Sequence, residues 1–342
     1  MTLCCAGCFH DSAIIQLIGL EHTNNRCGHC RADNAFTINP ERLSQFFEPF
    51  LGIVIEDVNG TFLSDILQDI FNIFSDNVIN TKKLLGDILD EEYTIKKYRL
   101  REDYQDHLNK WEEFKKEIKY KNRFFPQNSI YSSLFDVRDG NADADFFQII
   151  EQLKVNYNAG EFFYRARIHD EPLDKNKMGK PPEGNATAGR ANPVGISYLY
   201  LADKEATCVA EVRPNNTSVI YISKLILKHD VYLIDLTAPR KKTSICSFDE
   251  GRFNNVISIL KLLETLSKEL SKPVKPESSS IDYIPTQFLC EFLKSFSKCD
   301  GIIFESSFGS GKNFVFYDDE AFTIEDPVAN KITGITHLFE PT

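Results

Sequence analysis

The sequence predicts an α+β protein, and three observations lead to that class. Residues 36–135 carry apolar side chains at three- and four-residue spacing, as amphipathic helices do. From residue 146 onward, short runs rich in Val, Ile, Tyr and Phe predict strands. Two helical stretches interrupt those runs without strict alternation, which favours an α+β arrangement.

These patterns divide the chain into three predicted regions. They are a cysteine-rich segment at 1–35, a helical region at 36–145 and a mixed domain at 146–342. The acidic stretch DVRDGNADAD at 136–145 is the predicted linker, because it is short and contains Gly and Asn. Its aspartates lack the ligand order of an EF-hand calcium loop, which favours a solvated loop.

Composition and charge narrow the functional classes. A chain of 342 residues, 42% of them hydrophobic, is long enough for one large domain or two. The net charge of −11 argues against a general nucleic-acid coat and against a protein that binds anionic membranes. The sequence shows neither a targeting segment nor a membrane span, so we expect a cytoplasmic location, where thiols stay reduced.

Two CxxC pairs stand in the first segment. Cys5 and Cys8 are separated by 18 residues from Cys27 and Cys30, which is the spacing of a tetrahedral Cys4 zinc site. Four thiolates close the coordination shell, so we expect a structural zinc ion in a small ribbon. The residues that could replace one of the four thiolates are Cys4, His10, His22 and His29.

A carboxylate stands in an unexpected place within residues 195–214, GISYLYLADKEATCVAEVRP. The first part predicts a strand that ends at Ala202, and a helix follows with Asp203 as its predicted N-cap. Glu211 lies on that helix among apolar residues. The pattern alone favours an exposed helix residue that pairs with Arg213 or Lys204.

Arginines precede that segment. Arg165 and Arg167 alternate with apolar residues in FFYRARIHD, so both point to one face of a predicted strand. Arg190 lies in a loop rich in Gly, Ala, Asn and Pro, where the backbone can approach a ligand closely. Guanidinium groups near such turns suit a diphosphate or a carboxylate, because they bind paired oxygens bidentately. The later stretch GSGKN resembles a P-loop only superficially, since Asn313 stands where Ser or Thr would bind Mg²⁺.

The order of these motifs resembles the RES domain, a family named for an Arg, a Glu and a Ser. The motifs are YRAR, GRANPVGISYLYLA, EATCVAEVRP, TQFLCEF and DGIIFESS followed by NFVFY, and they span about residues 155–325. Members of that family are similar to ADP-ribosyltransferases in fold and act as bacterial toxins that degrade NAD⁺, often with an antitoxin. The resemblance therefore implies an ADP-ribosyltransferase-like fold, NAD⁺ as the substrate, cleavage of its nicotinamide–ribose bond, and an antitoxin or another regulatory protein as a partner.

The resemblance also implies roles for individual residues. Those with a catalytic role are Arg165, Glu211 and Ser306. Those that bind the substrate are Arg190, Tyr200, Arg167 and Ser307. The choice between the two strand arginines stays open, as does the choice between the two serines. A bulky aromatic residue often follows the loop arginine in that family, whereas this chain has Ala191.

The cysteine-rich segment and the helical region resemble, more loosely, the HEPN/RES-type N-terminal region. HEPN ribonucleases use an Arg and a His a few residues apart, and Arg101-EDYQD-His107 fits that pattern. The same pair also fits a solvated face of a charged helix. The alternatives to an NAD⁺-degrading enzyme are an ADP-ribosyltransferase for a protein or nucleic-acid target, a ribonuclease and a non-catalytic partner-binding module. The sequence leaves both a monomer and a homo-oligomer open.

Overall fold

The computed structural model describes residues 2–20, 24–101, 104–135, 143–182, 184–272, 279–308 and 310–334. Contacts divide the chain into two compact units, each of them discontinuous in sequence. The first unit comprises Met1–Glu112, Asp136–Gln152 and Ala238–Leu262. The second unit comprises Glu113–Phe135, Leu153–Thr237 and Leu263–Thr342. The region boundaries after residues 35 and 145 stay predictions.

The secondary structure of the described residues is as follows. The strands are β1 (Cys4–Cys5), β2 (Asn24–Asn25), β3 (Ala35–Ile38), β4 (Val54–Phe62), β5 (Lys97–Leu100), β6 (Lys154–Tyr157), β7 (Phe162–Ile168), β8 (Leu199–Ala202), β9 (Val219–Leu227), β10 (Val231–Asp235), β11 (Gly301–Glu305), β12 (Lys312–Phe316), β13 (Phe322–Ile324) and β14 (Val328–Lys331). The helices are α1 (Ser12–Gly19), α2 (Ser44–Leu51), α3 (Leu63–Asp65), α4 (Thr81–Ile88), α5 (Glu92–Ile95), α6 (Tyr104–Tyr120), α7 (Ala144–Gln152), α8 (Glu205–Glu211), α9 (Pro239–Lys242), α10 (Phe253–Ser271), α11 (Ser279–Asp282) and α12 (Ile284–Phe296).

The first unit contains a two-stranded antiparallel sheet, β4–β5, inside the region that the sequence predicted as helical. The reason is local, because β-branched residues dominate the run IVIEDVNGT and favour an extended backbone. Two ion pairs accompany the sheet: Lys96 Nζ lies 2.6 Å from Glu56 Oε1, and Arg99 Nε lies 3.1 Å from Asp57 Oδ2. The same unit holds the small sheet β1–β3–β2 near the N-terminus.

The predicted linker is only partly described, because residues 136–142 lie outside the described ranges. Its last residues are not a solvated loop. Asp143 Oδ1 accepts hydrogen bonds from the backbone N–H groups of Asp145 and Phe146, at 2.9 and 3.1 Å, and so caps the start of α7. Asp145 is buried and pairs with Arg252. Capping and ion pairing therefore account for these two carboxylates.

The second unit is built on one nine-stranded sheet. Its order is β13–β9–β7–β8–β12–β11–β10–β6, and β14 also pairs with β9. Its strand pairs are antiparallel except β10–β11. Between β8 and β12, Tyr200 lies opposite Val315, and Ala202 lies opposite Asn313. Opposed residues share a face of a sheet, so Tyr200 and Asn313 lie on the same face.

Aromatic residues fill the core on the other face of the sheet. The ring centroid of Phe163 lies 4.7 Å from that of Phe314 and 5.4 Å from that of Phe316. Buried leucines complete this cluster: Leu199, Leu201, Leu225, Leu227 and Leu233. The alternation along β12 therefore separates a packed apolar face from the face that carries Asn313.

The sheet opens between two of its neighbouring strands. β7 pairs with β9 from Phe162–Ile226 to Ile168–Ile220. Within the described strands, β7 pairs with β8 at only one position, where Tyr164 lies opposite Ala202. Beyond that position the two strands separate.

The mixed α+β class is confirmed, and so are most of the predicted elements from residue 146 onward. The six predicted strand runs form β7 to β12, and the two predicted helices are α10 and α12. The sequence did not predict β6, β13 or β14. Strand β14 is exposed throughout, so it shows no apolar alternation that could have identified it. Across the described ranges, no helix has the length and apolar character needed to cross a membrane.

Gly301 provides a test of the close strand packing in this sheet. It lies opposite Leu233 on β10 and Phe316 on β12, and a Cβ at this position would collide with the backbone of Val315. We expect Gly301→Ala to lower the free energy of unfolding by about 1–3 kcal/mol, because the strands must shift to admit the methyl group. Denaturant unfolding followed by circular dichroism measures this change.

Gly334→Ala is the matched control in the same unit. No atom lies within 4 Å of a Cβ placed at that position, so the substitution should change the free energy of unfolding by less than about 0.5 kcal/mol. Equal unfolding midpoints for Gly301→Ala and the unchanged protein would contradict the predicted collision.

Candidate functional site

A cavity of about 430 Å³ lies where β7 and β8 separate. Its volume falls in the range of small-molecule sites, about 300–1,000 Å³. Four of the residues that the sequence analysis singled out line this cavity: Arg165, Arg190, Tyr200 and Glu211. Three further polar residues, with no predicted role in binding or catalysis, also line it: Arg213, Tyr283 and Asn313. We call it the first cavity.

The Glu211 carboxylate is held by two hydrogen-bond donors. Ser306 Oγ donates to Glu211 Oε1 at 2.6 Å, and Asn313 Nδ2 donates to the same oxygen at 2.7 Å. Asn313 is buried, so its amide is fixed by the packing of β12. Within the described residues, Glu211 Oε2 has no such partner. The two donors orient the carboxylate and leave one oxygen for a ligand.

The neighbouring cations do not neutralise Glu211 within the described part of the chain. Lys204 Nζ donates to the backbone oxygen of Ser310 at 2.9 Å. The Arg213 guanidinium lies 4.2 Å from the ring centroid of Phe308. The expectation that Glu211 pairs with one of these two residues is therefore wrong.

The start of α8 also differs from its prediction. Lys204 occupies the N-cap position, and no side chain caps the helix. Asp203 instead accepts a hydrogen bond at Oδ1 from the backbone N–H of Lys312, at 3.0 Å. The Asp203 carboxylate therefore binds the backbone N–H of Lys312 on β12 and does not cap α8. This bond ties the start of α8 to β12, which carries Asn313.

The loop arginine is anchored inside the second unit. Arg190 is buried, and its Nη1 donates to the backbone oxygen of Leu270 at 2.5 Å and to Ser307 Oγ at 2.6 Å. The Ser307 hydroxyl donates in turn to the backbone oxygen of Ser271. Ser306 and Ser307 do not line the first cavity; each contacts a residue that does. The structure therefore places the two serines behind Glu211 and Arg190, respectively.

A network of amides and hydroxyls fixes the Gly-rich loop around Arg190. Tyr200 donates its hydroxyl to Asn192 Oδ1 at 2.7 Å and accepts the backbone N–H of Ala191 at 3.1 Å. Gln287 Nε2 donates to the backbone oxygens of Gly189 and Asn192 at 2.8 and 2.9 Å. A Cβ on Gly189 would collide with both Asn192 and Tyr200, so the glycine permits this close approach.

Burial affects the protonation of the Tyr200 hydroxyl in this network. Desolvation raises the pKa of the Tyr200 hydroxyl well above its usual range. The hydroxyl therefore stays protonated at neutral pH and keeps its bond to Asn192. Tyr200 thus has a structural part in the loop as well as a place on the cavity wall.

The two strand arginines differ in position. Arg165 lines the first cavity, whereas Arg167 does not and donates from Nη2 to the backbone oxygen of Gly179 at 2.9 Å. Burial, with a smaller contribution from the charge of Arg167, lowers the pKa of the Arg165 guanidinium. Among the described residues, Arg165 Nη1 is buried without a hydrogen-bond partner. Of the two, Arg165 is therefore the arginine beside Glu211's cavity.

Three polar residues of the first cavity were not predicted to take part in binding or catalysis: Asn313, Arg213 and Tyr283. Asn313 was considered only as a departure from a P-loop, although a polar residue at the start of the apolar run NFVFY was a signal for a buried hydrogen bond. Arg213 adopts a left-handed backbone conformation with φ of 49°, which could not be predicted from the sequence. Tyr283 precedes α12 and reaches the cavity only through the long-range packing of that helix.

Four cysteine sulfurs lie together in the first unit. The Sγ atoms of Cys5, Cys8, Cys27 and Cys30 all lie within 4.8 Å of one another. Cys5 and Cys30 are 3.4 Å apart, and Cys8 and Cys27 are 3.5 Å apart. Thiolates at about 2.3 Å from a tetrahedral zinc ion stand roughly 3.8 Å from one another, so this set fits such an ion. Contacts among these sulfurs lower the pKa of Cys27 and raise the pKa of Cys5 and Cys8, because the partners donate to the sulfur of Cys27.

The residues proposed as substitutes lie outside this cluster. Cys4 Sγ points to the backbone oxygen of Ile38, at 3.8 Å. His29 Nε2 lies 3.3 Å from Asp87 Oδ2. His10 is exposed, and His22 lies outside the described residues. The geometry thus groups the four cysteines that the CxxC spacing indicated.

Comparisons with known proteins add a family and one similar structure. The RES domain family model matches residues 162–334, about half of the chain. The chain is similar to a protein in the crystal structure of the M. tuberculosis MbcT–MbcA toxin–antitoxin complex, with 15% identity and a TM-score of 0.33. That likeness covers 55% of this chain and 93% of the other. No curated protein matches this chain.

Tyr200 gives a test of the loop network that is independent of any activity. We expect Tyr200→Phe to destabilise the second unit by about 1–2 kcal/mol, because Asn192 Oδ1 and the Ala191 N–H lose a buried partner. Amide hydrogens of residues 186–198 should then exchange faster with solvent, as measured by mass spectrometry.

Tyr232→Phe serves as the control. Tyr232 lies on β10 in the same unit, and its side chain is 53% exposed, so losing its hydroxyl should leave exchange in residues 186–198 unchanged. If Tyr200→Phe exchanged no faster than Tyr232→Phe, the loop would not depend on the hydroxyl.

Proposed function

Because the chain belongs to the RES domain family, we propose that it is a toxin-like enzyme that cleaves the nicotinamide–ribose bond of NAD⁺. The observation that carries the proposal is the Glu211 carboxylate, held by Ser306 and Asn313 at the wall of the first cavity. Arg165 and Arg190 line the same cavity. A fixed carboxylate beside two guanidinium groups suits a substrate with a ribose next to a diphosphate.

The proposed chemistry needs a carboxylate more than it needs a proton donor. Cleavage develops positive charge on the ribose, as in the oxocarbenium-like transition state of glycoside cleavage. The C–N electron pair leaves with nicotinamide, which becomes neutral, and water adds to the ribosyl carbon and loses a proton. Glu211 stabilises the charge on the ribose, and Ser306 and Asn313 keep its carboxylate in place as the charge develops.

Other parts of the cavity suit the rest of the substrate. Arg165 and Arg190 balance the two negative charges of the diphosphate. Tyr200 and Tyr283 line the same cavity and offer aromatic surface to a nicotinamide ring. Ser307 acts through Arg190, to which it is hydrogen-bonded. Arg167 lies outside the first cavity. Its predicted role in binding the substrate therefore concerns a different site in this protein.

An ADP-ribosyltransferase would use the same residues. It would differ only in the nucleophile that attacks the ribose, which would be a side chain or a base of a target in place of water. The ribonuclease alternative stays a prediction, because the family match begins at residue 162. Arg101 follows β5 and is exposed, and the His107 side chain lies outside the described residues. An antitoxin or regulatory partner and a cytoplasmic location also stay predictions.

Glu211→Gln tests the proposed activity. We expect the purified unchanged protein to deplete NAD⁺ and release nicotinamide, and the variant to lose about 10²–10³-fold in kcat, because the amide cannot stabilise a cation. Chromatography of nicotinamide measures the loss. NAD⁺ labelled in its adenine separates the two reactions: label recovered as free ADP-ribose indicates hydrolysis, and label on a macromolecule indicates transfer.

Glu205→Gln is the matched control, because Glu205 lies on the same helix and is exposed. It should retain the activity of the unchanged protein. Equal turnover by Glu211→Gln and Glu205→Gln would exclude Glu211 as the catalytic carboxylate.

We also propose that the four-cysteine cluster binds a structural zinc ion. The support is the grouping of four sulfur atoms within 4.8 Å and their burial, which is complete or nearly so for three of them. Four thiolates leave no open coordination position for a substrate. The ion would therefore stabilise the N-terminal segment of the first unit and take no part in the chemistry at Glu211.

Metal content tests this second proposal. The unchanged protein should hold about one zinc ion per chain, whereas Cys27→Ser and Cys30→Ser should each lose most of it, because serine is a poor zinc ligand. Cys4→Ser is the control and should keep the ion, since Cys4 lies outside the cluster. Unchanged zinc content in Cys27→Ser, measured by mass spectrometry of the metal, would rule out the site.

A further inference from the structure

A second cavity, of about 760 Å³, adjoins the first in the second unit. The two cavities share three lining residues, Arg165, Ala166 and Val212. The second cavity lies beside the C-terminal half of β7 and the segment 173–182 that follows it. A ligand that passes Arg165 can therefore extend from one cavity into the other.

The polar lining of the second cavity is basic. Its cationic or ionisable side chains are Arg165, Arg167, His169, Lys177 and Lys180. Among the described lining residues there is no Asp or Glu. Lys180 is paired with Asp318 at 2.7 Å, whereas Lys177 forms no ion pair within the described ranges. The cavity thus holds more positive charge than its own walls neutralise.

Two guanidinium groups in this wall retain unused donors. Arg165 Nη1 and Arg167 Nε are both buried, and neither has a hydrogen-bond partner among the described residues. Buried donors without a partner are rare and destabilising, so such a pair marks a place for a bound acceptor. The positive charges of Arg165 and Arg167 also favour an anion at this place, because an anion between two like charges relieves their repulsion.

The wall that carries the lysines is anchored. The turn Lys175–Lys177 is capped by Asp174, which accepts the backbone N–H of Asn176 at 2.8 Å. Leu173 and Met178 flank the turn and pack with Tyr221 in a buried cluster. The turn therefore presents Lys177 from a fixed backbone. The apolar residues of the lining, Ile168, Leu173, Pro181 and Pro182, offer surface to a nucleoside.

We propose that the second cavity binds a phosphate on the adenosine ribose of the dinucleotide, so that the protein prefers a 2′-phosphorylated dinucleotide to one without that phosphate. This inference rests on the proposed function, which places the nicotinamide ribose at Glu211 and the diphosphate at Arg165 and Arg190. The adenosine end must then continue into the second cavity. Arg165 and Arg190 already balance the diphosphate, so Arg167 and Lys177 remain for a further phosphate, which brings about 1.5–2 negative charges.

Binding of substrate fragments tests the inference without turnover. Adenosine 2′,5′-bisphosphate and ADP carry the same number of phosphates but place them differently. We expect the bisphosphate to bind the unchanged protein about tenfold more tightly by titration calorimetry, and Lys177→Glu to abolish that difference. Lys175→Glu is the matched control on the same turn, because Lys175 is exposed and does not line the cavity; it should keep the preference.

Equal affinity of the unchanged protein for the two fragments would overturn the inference, as would a preference that survives Lys177→Glu. The kcat/KM values for NADP⁺ and NAD⁺ supply the second measurement, with about a tenfold advantage expected for NADP⁺. If neither dinucleotide is cleaved while the bisphosphate preference holds, the proposed function fails and the phosphate site stands. If NAD⁺ is cleaved and the preference is missing, the phosphate site fails alone.

Discussion

The separation of β7 from β8 is the constraint on which the candidate site depends. A continuous sheet would bury the edges of both strands in hydrogen bonds and leave no space between them. Within the described strands β7 pairs with β8 at a single position, where Tyr164 lies opposite Ala202, so the sheet keeps its continuity and still opens into the first cavity. The second cavity adjoins the first beside β7. On its other side β7 is paired along its whole length with β9, so the backbone that carries Arg165 and Arg167 stays rigid beside the opening.

The register of β8 and β12 is the second feature that positions the side chains of the candidate site. It places Tyr200 and Asn313 on the face opposite the aromatic core, so one strand pair contributes both a loop anchor and a carboxylate partner. Glu211 enters from the end of α8, whose start is tied to β12 through Asp203. The position of the Glu211 carboxylate therefore follows from strand pairing, because the short helix α8 that bears it is tied to β12.

Strands β7 to β12 and helices α10 and α12 were predictable because their apolar residues are needed for a core whatever the details of packing. Glu211, Arg165 and Arg190 could be singled out because a charged residue in an apolar or Gly-rich setting is conspicuous. Asn313 and Tyr283 could not be assigned a role from the sequence. Asn313 bonds to Glu211, 102 residues away in sequence, and Tyr283 lines a cavity whose other walls come from distant parts of the chain. The predicted cap at Asp203 was wrong for the same reason, because a distant backbone N–H competes for the carboxylate. The β4–β5 sheet shows the converse case, in which one apolar run satisfies both a helical and an extended pattern.

Asn192, Tyr200 and Gln287 satisfy several polar groups of the Gly-rich loop around Arg190. Ordering a flexible residue costs about 1–2 kcal/mol in backbone entropy, and a loop that folded only around its ligand would subtract that cost from the affinity. In this protein the loop is ordered when the chain folds, so ligand binding does not include that loss of backbone entropy. A molecule that enters the site therefore meets a loop that is already ordered, and discrimination between similar molecules rests on the rejection of a poor fit.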